Sequence, residues 1–355
     1  MKVLFDLLGS SERSGGMRLH ATELVSAWLD EFPDDEITLV APPWAKAVFN
    51  ESVGDIRVWP NESPLTRALG QVLTTAAASW VARPDVVVSL SPIVSPLIPS
   101  AKAVCFQHDW RHKRNPHEFS RIQRAYRKLW EVSAGRSLNV CISQKASRET
   151  QQYVNGARTA VVENGWDHAR GWTRRHTQDS RQVTTFGHHN NKRPDLVIRA
   201  VASAIRTTES PIELVVLGAR GREADQLRQL AESLGIGAQV SLPGFVSDAE
   251  YQAAISDAGV VVLASTDEGF GLPVAEAQYL GIPAVVTSDS GMHEIFGDSV
   301  IVAEPTPGAL GAQITHALAS QHHIDKRPML RTWKMTALEL RSLIASHSVR
   351  RDADV

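Results

Sequence analysis

Apolar and polar positions alternate between two spacings along this 355-residue chain. Short continuous apolar runs, of the kind that fill a sheet buried on both faces, occupy residues 2–8, 37–41, 56–59, 86–90, 103–106 and 138–142. Helical spacing between them predicts helices over 17–32, after a Ser-Gly-Gly turn, and over 118–132. From 168 to 182 both patterns dissolve into Gly, Arg, Thr, His, Gln and Ser, the composition of a linker. Alternation then resumes, with strands expected at 183–186, 212–217, 239–242, 259–264 and 284–286. Helices are expected from Pro194, from Glu223 and over 248–256. Strands and helices in turn mean an α/β protein with parallel sheets, and the length suits two domains that each bury a core.

One stretch stands out against that background: Glu268-Gly-Phe-Gly-Leu-Pro-Val-Ala-Glu276. It lies between a valine-rich strand and an apolar run closed by Gly281-Ile-Pro283, so it reads as strand, glycine-rich turn and helix N-terminus. Such a turn aims backbone N–H groups and the positive end of a helix dipole at one point, which suits a phosphate. Carboxylates beside a phosphate site make sense when they accept hydrogen bonds from hydroxyls, and sugars and riboses supply these. The alternative is two exposed glutamates at a helix end.

Residues 265–283 resemble the donor-binding signature of retaining glycosyltransferases of family 4: two glutamates separated by seven residues, with Gly-Phe-Gly-Leu-Pro between them. The resemblance extends to Leu217-Gly218, Pro243-Gly-Phe-Val246, Ser290-Gly-Met-His-Glu294 with Gly297-Asp298, and a terminal segment around Thr332-Trp333. In the first half it is looser, through Ser14-Gly15-Gly16, His108-Asp109, Ser143 and Val162-Glu-Asn164-Gly165. It implies a GT-B fold, in which two Rossmann-like domains face each other across a cleft and a C-terminal helix crosses back to the N-terminal domain. The expected division is an acceptor domain over 1–168, a linker over 169–182 and a nucleotide-sugar domain over 183–330. The returning helix is expected at about 331–348.

The same resemblance assigns roles. Glu276 would accept the ribose hydroxyls, Glu268 would lie close to the donor sugar, and the amides of Gly269, Phe270, Gly271 and Leu272 would contact sugar and phosphate. The diphosphate needs cations, and the segment Gly187-His-His-Asn-Asn-Lys-Arg193 is where the family carries Gly-Arg and then a lysine. Lys192 matches the lysine. His188 stands at the arginine position with a spacing one residue short, which leaves Arg193 as another source of charge. Gly15 and Gly16 would approach the donor phosphates and the acceptor; they lack the three-glycine spacing of a dinucleotide fingerprint. His108 would contact the transferred sugar or the acceptor. Its plainer reading, with Asp109, is a turn histidine and a helix cap. No convincing side-chain nucleophile is evident, as expected if the departing diphosphate oxygen takes the acceptor proton.

Composition narrows the possibilities further. A formal charge of −2 gives no reason to expect nucleic acid, and Cys105 and Cys141 in apolar runs read as reduced core residues of a cytoplasmic protein. No leader pattern precedes the first strand, so no signal peptide is expected. The longest apolar stretch, 85–104, is interrupted by Pro92, Pro96 and Pro99 and is no clean membrane span. Asp34-Asp35 reads as a loop and Asp352 with Asp354 as chain terminus, neither at a strand end beside phosphate machinery. The adjacent pairs His188-His189 and His322-His323 lack the ligand spacing of a zinc site, so neither catalytic metal nor cofactor is expected. Residues 111–128 hold seven Lys or Arg against one Glu, with Phe119, Ile122, Tyr126 and Leu129 at helical spacing. The segment 111–130 could lie on an anionic membrane where lipid-linked carbohydrate is extended, or be an ordinary surface helix. The resemblance implies transfer of a sugar from a nucleotide sugar to an acceptor hydroxyl and, with the basic segment, points to cell-envelope polysaccharide or glycolipid synthesis, a secreted metabolite being the alternative acceptor. A glycoside phosphorylase, a sugar-nucleotide epimerase and a non-catalytic nucleotide-sugar-binding subunit remain as rivals.

Overall fold

The valine- and leucine-rich runs form the strands of two wholly parallel sheets in the computed structural model of the chain. The structure describes residues 1–12, 15–173, 180–208, 211–320 and 331–352. Ser14, residues 174–179 of the expected linker, the pair His322-His323 and Asp354 lie outside them. The chain divides into two compact units, Met1–Gly165 with Arg331–Val355, and Trp166–Leu330.

The first unit holds a seven-stranded sheet: β1 (Lys2–Asp6), β2 (Glu36–Ala41), β3 (Asp55–Val58), β4 (Val86–Ser89), β5 (Ala103–Gln107), β6 (Leu138–Cys141) and β7 (Arg158–Val161). Their spatial order is β3-β2-β1-β4-β5-β6-β7, so the direction of progression reverses between β1 and β4. The second unit holds β8 (Gln182–Phe186), β9 (Glu213–Leu217), β10 (Val240–Gly244), β11 (Val260–Leu263), β12 (Ala284–Thr287) and β13 (Ile301–Ala303). Their order is β10-β9-β8-β11-β12-β13, with the reversal between β8 and β11. In open α/β sheets ligands collect at the carboxyl ends of the strands that flank such a reversal. The strands beside the reversals are largely buried, as expected of parallel sheets covered on both faces, and β11, all valine and leucine, is buried throughout.

The C-terminal helix Trp333–Asp352 belongs to the first unit, where it packs on the helix Gly15–Glu31. Three polar anchors fix it. The Thr336 hydroxyl and the Arg331 Nε–H both donate to the Glu163 carbonyl, at 2.8 and 2.9 Å, and the Arg341 guanidinium grips Asp35 with two bonds of 3.0 Å. The approach is so close that a Cβ on Gly165 would lie 2.3 Å from the Trp333 nitrogen.

Several elements differ from expectation, each for a local reason. The helix expected over 118–132 runs from Arg121 to Arg136, because Ser120 and Gln123 form a capping box that sets its start. β7 and β13 escaped the pattern: β7 is a half-exposed edge strand and β13 has three residues, too short for a periodic signal. A long helical stretch through Pro64–Leu69, the wide-turn (π) segment Gly70–Thr74 and Thr75–Ala82 also went unseen. Its alanines, threonines and leucines give no clean apolar stripe. The start of the expected linker is structured too, since Asp167–Gly171 forms a 3-10 turn with Ala169 fully buried.

Candidate functional site

In the second unit, the loops that follow β8 and β11 stand on either side of the sheet's reversal and are tied to each other. The Thr266 amide donates to the Asn191 carbonyl at 2.9 Å, and the Asn191 side-chain amide donates to the Asp267 carbonyl at 3.0 Å. Lys192 of the first loop forms an ion pair with Glu268 of the second, in a partly buried setting. The two sequence segments singled out for charge and for glycine therefore meet.

The turn ends at Gly271, which adopts φ 94°, ψ 51° as the N-cap of the helix Leu272–Tyr279. Left-handed backbone favours glycine, and a Cβ here would also lie 2.8 Å from the Met292 sulfur. The Val274 and Ala275 amides return to the Gly271 carbonyl, so the N–H groups from Gly269 to Leu272 precede the first intrahelical bonds. Phe270 anchors the turn by packing edge-on against Phe296, with ring centroids 5.8 Å apart, and is itself buried.

Glu276 lies one turn into that helix and is only 2% exposed, which excludes the reading of a solvated helix-end glutamate. Both of its oxygens are engaged: the His168 Nε2–H donates to Oε1 at 3.0 Å and the Tyr251 hydroxyl to Oε2 at 2.6 Å. Burial, and then the adjacent Glu276 charge, push the Tyr251 phenol well above its usual range, so it remains a donor. Trp172 closes this group edge-on to both Tyr251 and His168. A carboxylate oxygen has a second lone pair, so a Glu276 held in this way can still accept from a ligand hydroxyl.

His168, Tyr251 and Trp172 were not singled out by sequence reasoning. His168 sits at the edge of the presumed linker, where a histidine carries no signal of its own. Tyr251 offered a fainter clue, because a tyrosine on the inner side of a short helix needs a partner for its hydroxyl.

Arg193 is turned to another task. With φ 48°, it donates from Nε to the Ala264 carbonyl, from Nη2 to Thr287, and through both terminal nitrogens to Asp289 at 2.9 and 2.7 Å. Its guanidinium braces the ends of β11 and β12 and leaves Lys192 as the cation in contact with the glycine-rich loop. His188 is half-buried, against His189 and the left-handed Gly218, where a Cβ would lie 2.8 Å from its own.

In the first unit, His108 follows β5 and donates from Nε2 to the Leu90 carbonyl at 3.1 Å, which leaves Nδ1 as the acceptor nitrogen. Burial lowers its pKa, partly offset by that bond, and keeps it neutral. Asp109 accepts from the Arg111 amide at 3.0 Å, just ahead of Trp110, the N-cap of the short helix Arg111–Arg114. His20, another residue the sequence did not flag, lies edge-on to His108 at 5.0 Å and donates from Nδ1 to Asn164 Oδ1 at 2.9 Å. Its Nε2 is buried with no partner among the described residues. Gly15 and Gly16 open the helix Gly15–Glu31 and are exposed. Among the described residues, no three His, Cys, Asp or Glu gather as a metal-binding group, and no helix is long and apolar enough to cross a membrane.

Comparison with known proteins agrees with this architecture. Residues 14–170 match the family described as Glycosyltransferase Family 4, and residues 176–332 match Glycosyl transferases group 1. Over 106 residues the chain is 35% identical to the O-antigen chain mannosyltransferase B of Escherichia coli, covering 30% of this chain and 28% of the relative. It is 34% identical over 106 residues to a D-inositol 3-phosphate glycosyltransferase of Corynebacterium jeikeium, covering 28% of this chain and 25% of the relative. The match thus spans about a quarter of the length of these relatives. Among solved structures, Anabaena HepE in complex with UDP and glucose superposes with a TM-score of 0.69 at 19% identity, covering 98% of this chain and all of that one. Sucrose-phosphate synthase from Thermosynechococcus elongatus gives 0.70 at 16% identity, covering 98% of each. Two parallel Rossmann-like sheets, with consecutive family matches over nearly the whole chain, make this protein a member of the GT4-type glycosyltransferases of GT-B fold.

Proposed function

We propose that the chain is a retaining glycosyltransferase that moves a sugar from a nucleotide-sugar donor to an acceptor hydroxyl without a catalytic metal. The observation that carries this reading is Glu276, a buried carboxylate held at both oxygens beside a glycine-rich helix start and the Lys192–Glu268 pair. On this reading the donor belongs to the second unit, with the ribose hydroxyls on Glu276 and the diphosphate on the Gly269–Leu272 amides and Lys192. Glu268, now paired with Lys192, is freed toward the donor sugar when phosphate takes the lysine. The acceptor belongs to the first unit, with His108 as its neutral hydrogen-bonding group.

The glycosidic carbon–oxygen bond to the diphosphate breaks as the acceptor oxygen forms its bond on the same face. The acceptor proton passes to the departing phosphate oxygen, so no side-chain nucleophile is needed. Lys192 supplies charge to the leaving group, the role a metal would otherwise take. The acceptor class we propose is a cell-envelope polysaccharide or glycolipid, with the basic segment 111–130 meeting the membrane that carries it. A non-catalytic nucleotide-sugar-binding subunit is the second reading; it draws on His188 at the arginine position and on the engagement of Arg193 with Asp289.

Thermal stabilisation by a panel of nucleoside diphosphates and their sugars tests the donor site. A ligand at a hundred times its dissociation constant stabilises the folded state by about 2.7 kcal/mol. A shift confined to one base and lost in Glu276→Ala supports the assignment, and no shift with any nucleotide removes it. Transfer to an acceptor, followed by the anomeric configuration of the product, separates a retaining transferase from the binding subunit.

A further inference from the structure

The helical stretch from 64 to 82 presents an unusual outer face. After its opening proline, the exposed positions are Leu65, Leu69, Leu73, Ala77, Trp80 and Val81, and every one is apolar. Leu65, Trp80 and Val81 are 68%, 66% and 71% exposed, far beyond what a packed side chain shows. The only charged residue in the stretch, Arg67, is half-buried and donates to the Asn61 carbonyl. A helix in contact with water carries polar residues on its outer face, and a contiguous exposed apolar face marks an interaction surface.

The helix Arg121–Arg136 lies alongside, joined by the Tyr126 hydroxyl donating to Gln71 Oε1 at 2.8 Å. One turn before Tyr126, Ile122 is 73% exposed. Much of the positive charge of this region is internally spent: Lys113 pairs with Glu131, Arg114 with Glu149, and Arg127 stacks over Phe119. Arg121, Arg124 and Lys128 are exposed with no acidic partner among the described residues. An apolar face thus runs beside a row of uncompensated cations.

We propose that these two helices form a docking surface for an anionic lipid bilayer. Leu73 and Trp80 enter the acyl boundary, and Arg121, Arg124 and Lys128 meet headgroup phosphates. The proposal extends the membrane contact suggested for segment 111–130 and moves its apolar anchor to the helix over 64–82. Charge selects the occupant. In a two-fold contact between identical copies, the same cationic row would be brought up to the same interface from both sides and repel, whereas anionic headgroups neutralise it. Tryptophan also favours the bilayer boundary, where an apolar ring can keep a polar N–H in the wet layer.

Cosedimentation of the full chain with vesicles of equal parts phosphatidylcholine and phosphatidylglycerol, against pure phosphatidylcholine, tests this. The expected result is binding to the anionic vesicles alone, weakened at least about tenfold by Leu73→Glu with Trp80→Glu because both the buried apolar area and the charge balance change. Arg124→Glu with Lys128→Glu should also weaken binding and flatten its salt dependence. All four side chains lie outside the nucleotide site, so nucleoside-diphosphate stabilisation should be unchanged in both variants. That readout separates failure of the membrane surface from failure of the donor-site reading. The proposal is overturned if the wild-type chain stays in the supernatant or if the Leu73/Trp80 variant binds as well as wild type. A wild-type dimer that the same variant converts to monomer would overturn it too, by showing that a second copy covers the face.

Discussion

Tyr251→Phe removes one hydroxyl and leaves the ring, so no cavity opens and the effect isolates the bond to Glu276. That bond is 2.6 Å long, made by a half-buried tyrosine to a carboxylate 2% exposed, with His168 as the other donor. A hydrogen bond to a charged group contributes about 1.5–3 kcal/mol, and little water reaches this site to replace it. Tyr251→Phe is therefore expected to destabilise the second unit by about 2 kcal/mol. Urea unfolding followed by tryptophan fluorescence measures it, with Trp172 packed edge-on to the tyrosine as a local reporter. If Glu276 binds ribose, loosening it should also weaken nucleotide affinity, by about tenfold for each 1.4 kcal/mol of lost positioning. In a double-mutant cycle with Glu276→Gln, the two changes should couple by at least about 1 kcal/mol, as expected for residues in contact. A Tyr251→Phe protein within about 0.5 kcal/mol of wild type, with no coupling to Glu276, would refute the reasoning.

Three further outcomes are expected. Lys192→Met should lower affinity for nucleoside diphosphates about tenfold or more, while Arg193→Met should lower stability with little change in affinity, because its guanidinium serves Asp289 and Ala264; calorimetric titration beside urea unfolding separates the two. Gly271→Ala should destabilise by about 1–3 kcal/mol, since φ is 94° and the new methyl meets the Met292 sulfur; relief of the effect by Met292→Ala would confirm the clash. Burial pushes the Asp6 carboxyl from 3.8 up to about 7, although the Leu8 amide and Thr75 hydroxyl donate to it. A raised acid stabilises the fold while protonated. That contribution is complete below the unfolded value and is lost as pH rises from about 4 to 7, on the order of 4 kcal/mol. Urea unfolding across that range should show the slope in wild type and a flatter one in Asp6→Asn.

The two sheets were legible because buried parallel strands leave unbroken apolar runs, and β1, β4, β8 and β11 appeared within a residue or two of where the runs predicted. The glycine-rich turn was equally legible, since left-handed backbone at Gly271 and a helix start at Leu272 are local properties written in Gly-Leu-Pro. Helix 64–82 was hidden for the opposite reason: its outer face is apolar, so the period that reveals an ordinary surface helix is missing.

By itself, then, the sequence determined the α/β alternation, the family resemblance and the place of the loops that follow β8 and β11, because these depend on neighbours along the chain. Only the tertiary structure decided which charges meet. Lys192 finds Glu268 across 76 positions, Arg193 turns to Asp289 across 96, and His168 reaches Glu276 across 108. Such pairings depend on strand order and on which side of the sheet's reversal each loop emerges, and neither is encoded in local periodicity.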